Sequence, residues 1–301
     1  MTATQSYTMS VGPEGLSGVL ECFTFTTILK SKLYAFENDF AAVEKFRENL
    51  SKVTKNVEVV KVMCDRICTA REIGPNNRVN VVCEDYRGTA VIFGSKLSDC
   101  CPFTSPSTKR KTCSPSNIIL AHSVEEEQFY YNRKFSLLNG IHYTMAVFAY
   151  NAMLRDGVPR TKWSEQQLTM WKQDPSNIKD LQLMIQARIL KLLSQTDRKT
   201  LYKIYNTYDL QKIYNELKGY SSEVLVRIEK SKDTAGRILN LNDKNRFAVK
   251  YQQHYLALKE FFNSNSLKMP AFVVKHPVQL YKTLLLNMQQ KIEYISPVNT
   301  I

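Results

Sequence analysis

The run "RKFSLLNGIH" sets Lys134, Asn139 and His142 five and three positions apart. An amine, a neutral amide and an imidazole supply a proton acceptor, an oxyanion donor and a hydroxyl ligand. Together they could take a proton from an alcohol and steady the alkoxide without a metal. An α-helix advances about 100° per residue, so Asn139 stands about 140° round from Lys134, and His142 about 80° round, between them. The three fan over one face, which would equally suit a solvated polar surface. A lysine serves as base only if burial or a neighbouring cation lowers its pKa from about 10.4.

The elements that must carry these residues fall into two textures. "YTMSVGP", "KLYAFEN" and "NVEVVKVM" read as strands, separated by helices "GLSGVLECFTFTTILKS" and "FAAVEKFRENLSK". The second helix bears an apolar stripe at Phe40, Val43 and Phe46. Alternation of this kind implies parallel strands. "RVNVVCEDYRGTAVIFG" reads as two short strands paired with each other, antiparallel. Residues 99–118, rich in Pro, Ser and Thr, read as a linker. Everything after it reads as helical. "SVEE", Ser123 to Glu126, fits a capping box that opens a helix running to about Leu154. Stripes at Leu201, Ile204, Ile213 and Leu217, at Phe247, Tyr251, Leu258 and Phe262, and at Val278, Tyr281, Leu285 and Met288 mark later helices. The expected fold is an α/β part, residues 1–118, followed by an all-α domain, residues 119–301. The glycines of "GPEGLSG", Gly12, Gly15 and Gly18, lack the spacing of a dinucleotide loop and read as a tight turn.

The chain has 301 residues, 44% of them hydrophobic, enough for a core without staples. Its apolar runs are too short to span a bilayer, and its start lacks the pattern of a secretory signal. The net charge of +13 suggests an anionic partner. The basic residues are dispersed, however, and no nucleic-acid signature appears, so nucleic acid is disfavoured. Seven cysteines, all before residue 114, make a poor disulfide framework and point to an intracellular, reducing compartment such as the cytoplasm. No metal-ligand spacing is present.

The K-x4-N-x2-H arrangement of Lys134, Asn139 and His142 resembles the helix signature of the polyol-specific long-chain dehydrogenases, the mannitol dehydrogenase family, which includes mannitol-1-phosphate 5-dehydrogenase. "TMSVGP" is similar to the family strand beside the cofactor, "KLYAFEN" to the strand ending in a second oxyanion donor, and "VMCDRI" to the family's "VDRI". "VRIEKSKDTAGRIL" is similar to a basic substrate-binding segment. The resemblance implies a truncated Rossmann-like part and a helical substrate domain akin to the C-terminal domain of 6-phosphogluconate dehydrogenase. It implies hydride transfer between a sugar alcohol or sugar phosphate and NAD(H) or NADP(H), with Lys134 as base and Asn38 and Asn139 holding the oxyanion. His142, Asp65, Arg227 and Arg237 would contact substrate, and Gly12 and Asn38 the cofactor.

Family members begin with a glycine-rich cofactor loop that has no counterpart here. Cofactor binding is therefore expected to be weak or absent in this chain alone, and a protein partner is expected to cover the open sheet. Two readings stand open: an enzyme whose cofactor half is supplied elsewhere, and a non-catalytic descendant that serves as a binding or structural subunit.

Overall fold

The computed structural model describes residues 5–12, 15–24, 30–74, 79–85, 89–94, 118–159, 175–240 and 244–258, with 162, 168, 169 and 260. Linker 99–118 lies outside these residues except at Ile118, as do Phe262 and the expected helix through Met288. The chain forms two compact units. One comprises residues 1–66 and 85–131, the other 67–84 and 132–301. The sequence reading instead puts the division at 118/119.

The first unit is α/β. Strand β1 (Gln5–Met9) leads to helix α1 (Leu16–Thr24), β2 (Ser31–Phe36), α2 (Phe40–Val53) and β3 (Val57–Asp65). Strands β1, β2 and β3 pair in parallel, in that order. Helix α2 begins where the Asp39 carboxylate accepts the Ala42 N–H at 3.0 Å. It buries Val43, Phe46 and Leu50, spaced three and four apart, so one stripe faces the sheet. Leu33 and Ala35 pack with that stripe, while Tyr34 belongs to a second cluster with Val60, Val62 and Ile92. Alternate residues of β2 thus enter separate cores, as expected of a strand buried on both faces.

The rest of the sheet differs from the sequence expectation. Strands β4 (Cys68–Ile73) and β5 (Val79–Cys83) form an antiparallel pair within the second unit. Strand β6 (Thr89–Phe93) runs antiparallel to β3, and β7 (Ile118–Ala121) runs parallel to β6. The two strands of "RVNVVCEDYRGTAVIFG" therefore do not pair with each other. The reason lies in burial: Val91, Ile92 and Phe93 are at most 2% exposed, a continuous apolar run that suits an inner strand. The five-stranded order is β1-β2-β3-β6-β7, mostly parallel with one antiparallel junction.

Helix α3 (Val124–Arg133) opens with the expected cap. Ser123 Oγ accepts the Glu126 N–H at 3.3 Å. Glu126 reaches back one residue further than a standard box, accepting the His122 N–H at 2.8 Å. Beyond α3 the described elements are helical: a π-helical segment (Lys134–Asn139), α4 (Gly140–Arg155), α5 (Pro175–Gln195), α6 (Arg198–Tyr205), α7 (Leu210–Lys230), α8 (Ala235–Leu239), α9 (Lys244–Tyr251) and a second π-helical segment (Gln252–Leu256). Helix α4 packs against α5, α7 and α8. Among the described residues no helix is long and apolar enough to cross a membrane.

Candidate functional site

Lys134 opens the first π-helical segment and Asn139 closes it. The Gly140 N–H donates to the Phe135 carbonyl five residues back. That wider rung changes the geometry expected of an α-helix. Residues five apart now bracket one hydrogen-bonded turn, so Asn139 comes round toward the side of Lys134 instead of standing about 140° away. Lys134 is 7% exposed and Asn139 half-buried. The bland alternative of a solvated amine is thereby removed.

A glycine and an arginine brace this winding. A Cβ on Gly140 would come within 2.5 Å of the Arg188 guanidinium, so a larger residue here would have to displace that buried side chain. Arg188 is buried and donates to Thr144 Oγ1 at 3.2 Å and to the His254 carbonyl at 3.0 Å. The Thr144 hydroxyl in turn donates to the Gly140 carbonyl at 2.8 Å. His254 belongs to the second π-helical segment, and its ring stacks on Phe135 of the first at 4.6 Å. Burial first, then the nearby cations Arg188, Lys250 and Lys191, push its pKa well below the ordinary histidine value. The two irregular segments are thus held together by a neutral imidazole and a buried guanidinium.

His142, one turn beyond Asn139, faces a carboxylate. Its Nε2 lies 3.2 Å from Oδ2 of Asp233, just ahead of α8. Asp233 is 2% exposed and well supplied with donors. The Thr234 N–H donates to Oδ1 at 2.8 Å, and Arg237 grips both oxygens with Nε and Nη2. Burial alone would raise the Asp233 pKa, but the hydrogen bonds from Arg237 and His142 outweigh it and hold the group at about 2. His142 shifts the other way: burial lowers its pKa despite the opposing pull of Asp233. The 3.2 Å approach to an acceptor-only carboxylate favours the tautomer with its proton on Nε2, which leaves Nδ1 as an acceptor.

Arg227 is committed elsewhere. Its Nε and Nη2 meet Glu84 Oε2 and Oε1 at 3.0 and 2.8 Å, both side chains nearly buried. The sequence resemblance gives Arg227 and Arg237 to substrate; the structure gives each a carboxylate partner within the unit. The Arg237 side chain remains 44% exposed, the Arg227 side chain 6%.

Gly12, Asn38 and Asp65 belong to the first unit. They stand at or just past the carboxyl ends of β1, β2 and β3, the edge at which parallel sheets collect ligands. Asn38 is exposed and Asp65 buried. Gly12 adopts φ of 75°, the left-handed region that favours glycine. The neighbouring amides bear on a nicotinamide cofactor. Glu37 Oε1 accepts the Val11 N–H at 2.6 Å and the Gly12 N–H at 3.0 Å. A carboxylate thus occupies both donors that a phosphate or carboxamide oxygen would need. This turn does not fit the cofactor group.

Asp233, Glu84, Arg188 and Lys250 were not legible as site residues. Asp233 carried a faint signal, four positions before Arg237. Lys250 donates to the Ile238 carbonyl at 2.6 Å. Burial, and then Arg237 and Arg246, bring its pKa down to about 8. Among the described residues no three His, Cys, Asp or Glu side chains group as metal ligands.

No family model and no curated protein matches this chain. A solved structure of a probable 2-dehydropantoate 2-reductase from Bacillus subtilis is similar at 10% identity, over 95% of this chain and 78% of that one, with a TM-score of 0.38. A likeness of that degree fixes neither the fold nor the chemistry of this chain, whose α/β and all-helical architecture rests on its own strand pairing and helix order.

Proposed function

We propose that the helical unit binds a polyol, as a sugar alcohol or sugar phosphate, and belongs to a metal-independent polyol oxidoreductase of the mannitol dehydrogenase kind. The observation that supports this reading is the π-helical winding from the buried Lys134 to Asn139, whose wider turn reduces the angle between the two positions. Lys134 takes the proton of the reacting hydroxyl. The Asn139 amide donates to the oxygen as negative charge develops there. His142, held by Asp233, accepts a hydrogen bond from a neighbouring hydroxyl through Nδ1. The outer face of Arg237 contacts the substrate's polar groups; Asn38 and Asp65, which the family resemblance assigns to oxyanion and substrate, belong to the first unit. A nicotinamide cofactor would supply the hydride acceptor, and the Gly12 turn, whose amides Glu37 holds, would not be its cradle.

The engaged Val11 and Gly12 amides also support a second reading, a non-catalytic binding or structural subunit. Among the described residues strand β1 ends the sheet and has Ser6, Tyr7 and Thr8 exposed, which suits a protein partner that pairs along this edge.

Polyol oxidation assays with NAD+ and NADP+, on sugar alcohols and their phosphates, separate the two. The enzyme reading expects turnover that falls about 10²- to 10⁴-fold in Lys134→Ala, the usual contribution of a general base. Turnover indifferent to Lys134 refutes its role as base. Polyol binding without any turnover favours the subunit.

A further inference from the structure

Cys68 and Cys83 stand directly opposite each other on β4 and β5. One rung away, the Glu84 N–H donates to the Ile67 carbonyl at 3.0 Å while the Ile67 N–H turns to the Glu84 carboxylate, so this rung carries one ladder hydrogen bond; the register shifts on the other side, between Cys68 and Ala70. Hydrogen-bonded and non-hydrogen-bonded pairs alternate, which makes Cys68 and Cys83 the narrow kind, with Cα atoms about 4.5 Å apart and side chains on one face. A disulfide accepts Cα separations of about 4.4–6.8 Å. Neither cysteine is in a disulfide; Cys68 is exposed and Cys83 half-buried. A reagent can therefore reach the first, and the second is close enough to resolve the product.

We propose that Cys68 and Cys83 form a reversible cross-strand disulfide, a redox-sensitive modification site whose oxidant is a small-molecule disulfide such as glutathione disulfide. The Cys68 thiolate attacks one sulfur of the oxidant, giving a mixed disulfide and releasing one glutathione thiolate. Cys83 loses its proton to solvent, attacks the Cys68 sulfur and expels the second glutathione. Two protein thiols are oxidised and one glutathione disulfide is reduced to two glutathione thiols. Excess thiol runs the same steps backwards, so a reducing compartment keeps the pair open and an oxidative challenge closes it.

The position gives the bond a consequence. Glu84 follows Cys83, and its carboxylate both accepts the Ile67 N–H at 2.6 Å and grips Arg227 of α7. A crosslink at the adjacent rung pins the strand that delivers Glu84, and so holds the anchor between the β4–β5 pair and the helices. The inference is independent of the polyol reading, because neither cysteine belongs to that site.

Peptide mapping of the full chain tests it. The protein is incubated with glutathione disulfide, remaining thiols are capped with iodoacetamide, and digests are compared by mass spectrometry. The expected result is a linked pair of peptides containing Cys68 and Cys83, two hydrogens lighter than their sum, with loss of capping at both residues and recovery after dithiothreitol. Cys68→Ser should leave Cys83 capped or carrying a single glutathione. Glutathione on Cys68 with no crosslink, pairing of either residue with another cysteine, or full capping of both in the wild type would each overturn the proposal. The wild-type map decides the matter even if the serine variant folds poorly.

Discussion

Glu84 and Arg227, separated by 143 positions, meet in a buried two-pronged ion pair with contacts of 2.8 and 3.0 Å. The same carboxylate closes the β4–β5 pair through the Ile67 N–H. One side chain therefore fastens two otherwise unrelated pieces of the second unit. Removing one partner of such a pair leaves a desolvated charge and costs about 3–5 kcal/mol, whereas replacing both by apolar side chains is close to neutral. Arg227→Met should lower the urea unfolding free energy by that amount, and Glu84→Met with Arg227→Met should recover only part of it, because the double variant leaves the Ile67 N–H without its acceptor. A stable Arg227→Met variant with only weakened polyol binding would return Arg227 to the substrate.

Gly140→Ala should destabilise the protein by about 1–3 kcal/mol, the usual range for overpacking. Its new methyl would meet Arg188 at 2.5 Å. Shortening the guanidinium arm in Arg188→Met should relieve that clash, so the two substitutions should couple strongly in a double-mutant cycle. Additive effects in thermal or urea unfolding would mean that α5 yields freely at this point.

The pH dependence of stability follows from Asp233. Its folded pKa of about 2 lies below the ordinary 3.8, so the unfolded chain binds the proton first as pH falls. The contribution is fully present above pH 4 and lost progressively toward pH 2, about 2 kcal/mol in all. His142, whose pKa is lowered by burial, adds a loss in the same direction below about pH 6.5, because the unfolded chain takes up that proton more readily. Unfolding titrations between pH 7 and 2 should show both losses, and Asp233→Asn should flatten the lower one. An unchanged acid limb in that variant would mean that another carboxylate governs it.

Lys250 should stand out among the lysines in amine chemistry. With a pKa of about 8 it is half neutral near that pH, and only the neutral amine acylates. Limited labelling with an N-hydroxysuccinimide ester at pH 8, mapped by mass spectrometry, should modify Lys250 ahead of exposed Lys218 and Lys232. Labelling of Lys250 no faster than these would mean that its burial and its bond to the Ile238 carbonyl outweigh the lowered pKa.

The sequence announces what is local. The stripe through Val43, Phe46 and Leu50 marks α2, and Ser123 with Glu126 marks the start of α3, because each signal lies within one or two helical turns. Pairing is not local. The run Thr89–Phe93 reads as a strand but nothing in it names a partner, and its burial within the larger sheet overrides the nearer hairpin. The same limit applies at the site. Lys134, Asn139 and His142 are visible as residue types, yet their angular relation depends on an i-to-i+5 rung that rests on Gly140 and the distant Arg188. Asp233 and Glu84 escape notice because their partners lie 91 and 143 positions away. The cofactor expectation turns on a single side chain, Glu37, whose hold on the Gly12 amide cannot be read from glycine spacing.

The central claim is that Lys134, Asn139 and His142 form one polyol site. Titration calorimetry with D-mannitol and with mannitol 1-phosphate tests it most directly, on the wild type and on Asn139→Ala and His142→Ala. The account predicts saturable binding of one of the two ligands to the wild type. Each substitution should weaken it about tenfold or more, the loss of one hydrogen bond worth about 1.4 kcal/mol. Binding of equal strength in all three proteins, or none to a folded wild type with other sugar alcohols and their phosphates also tried, would contradict it.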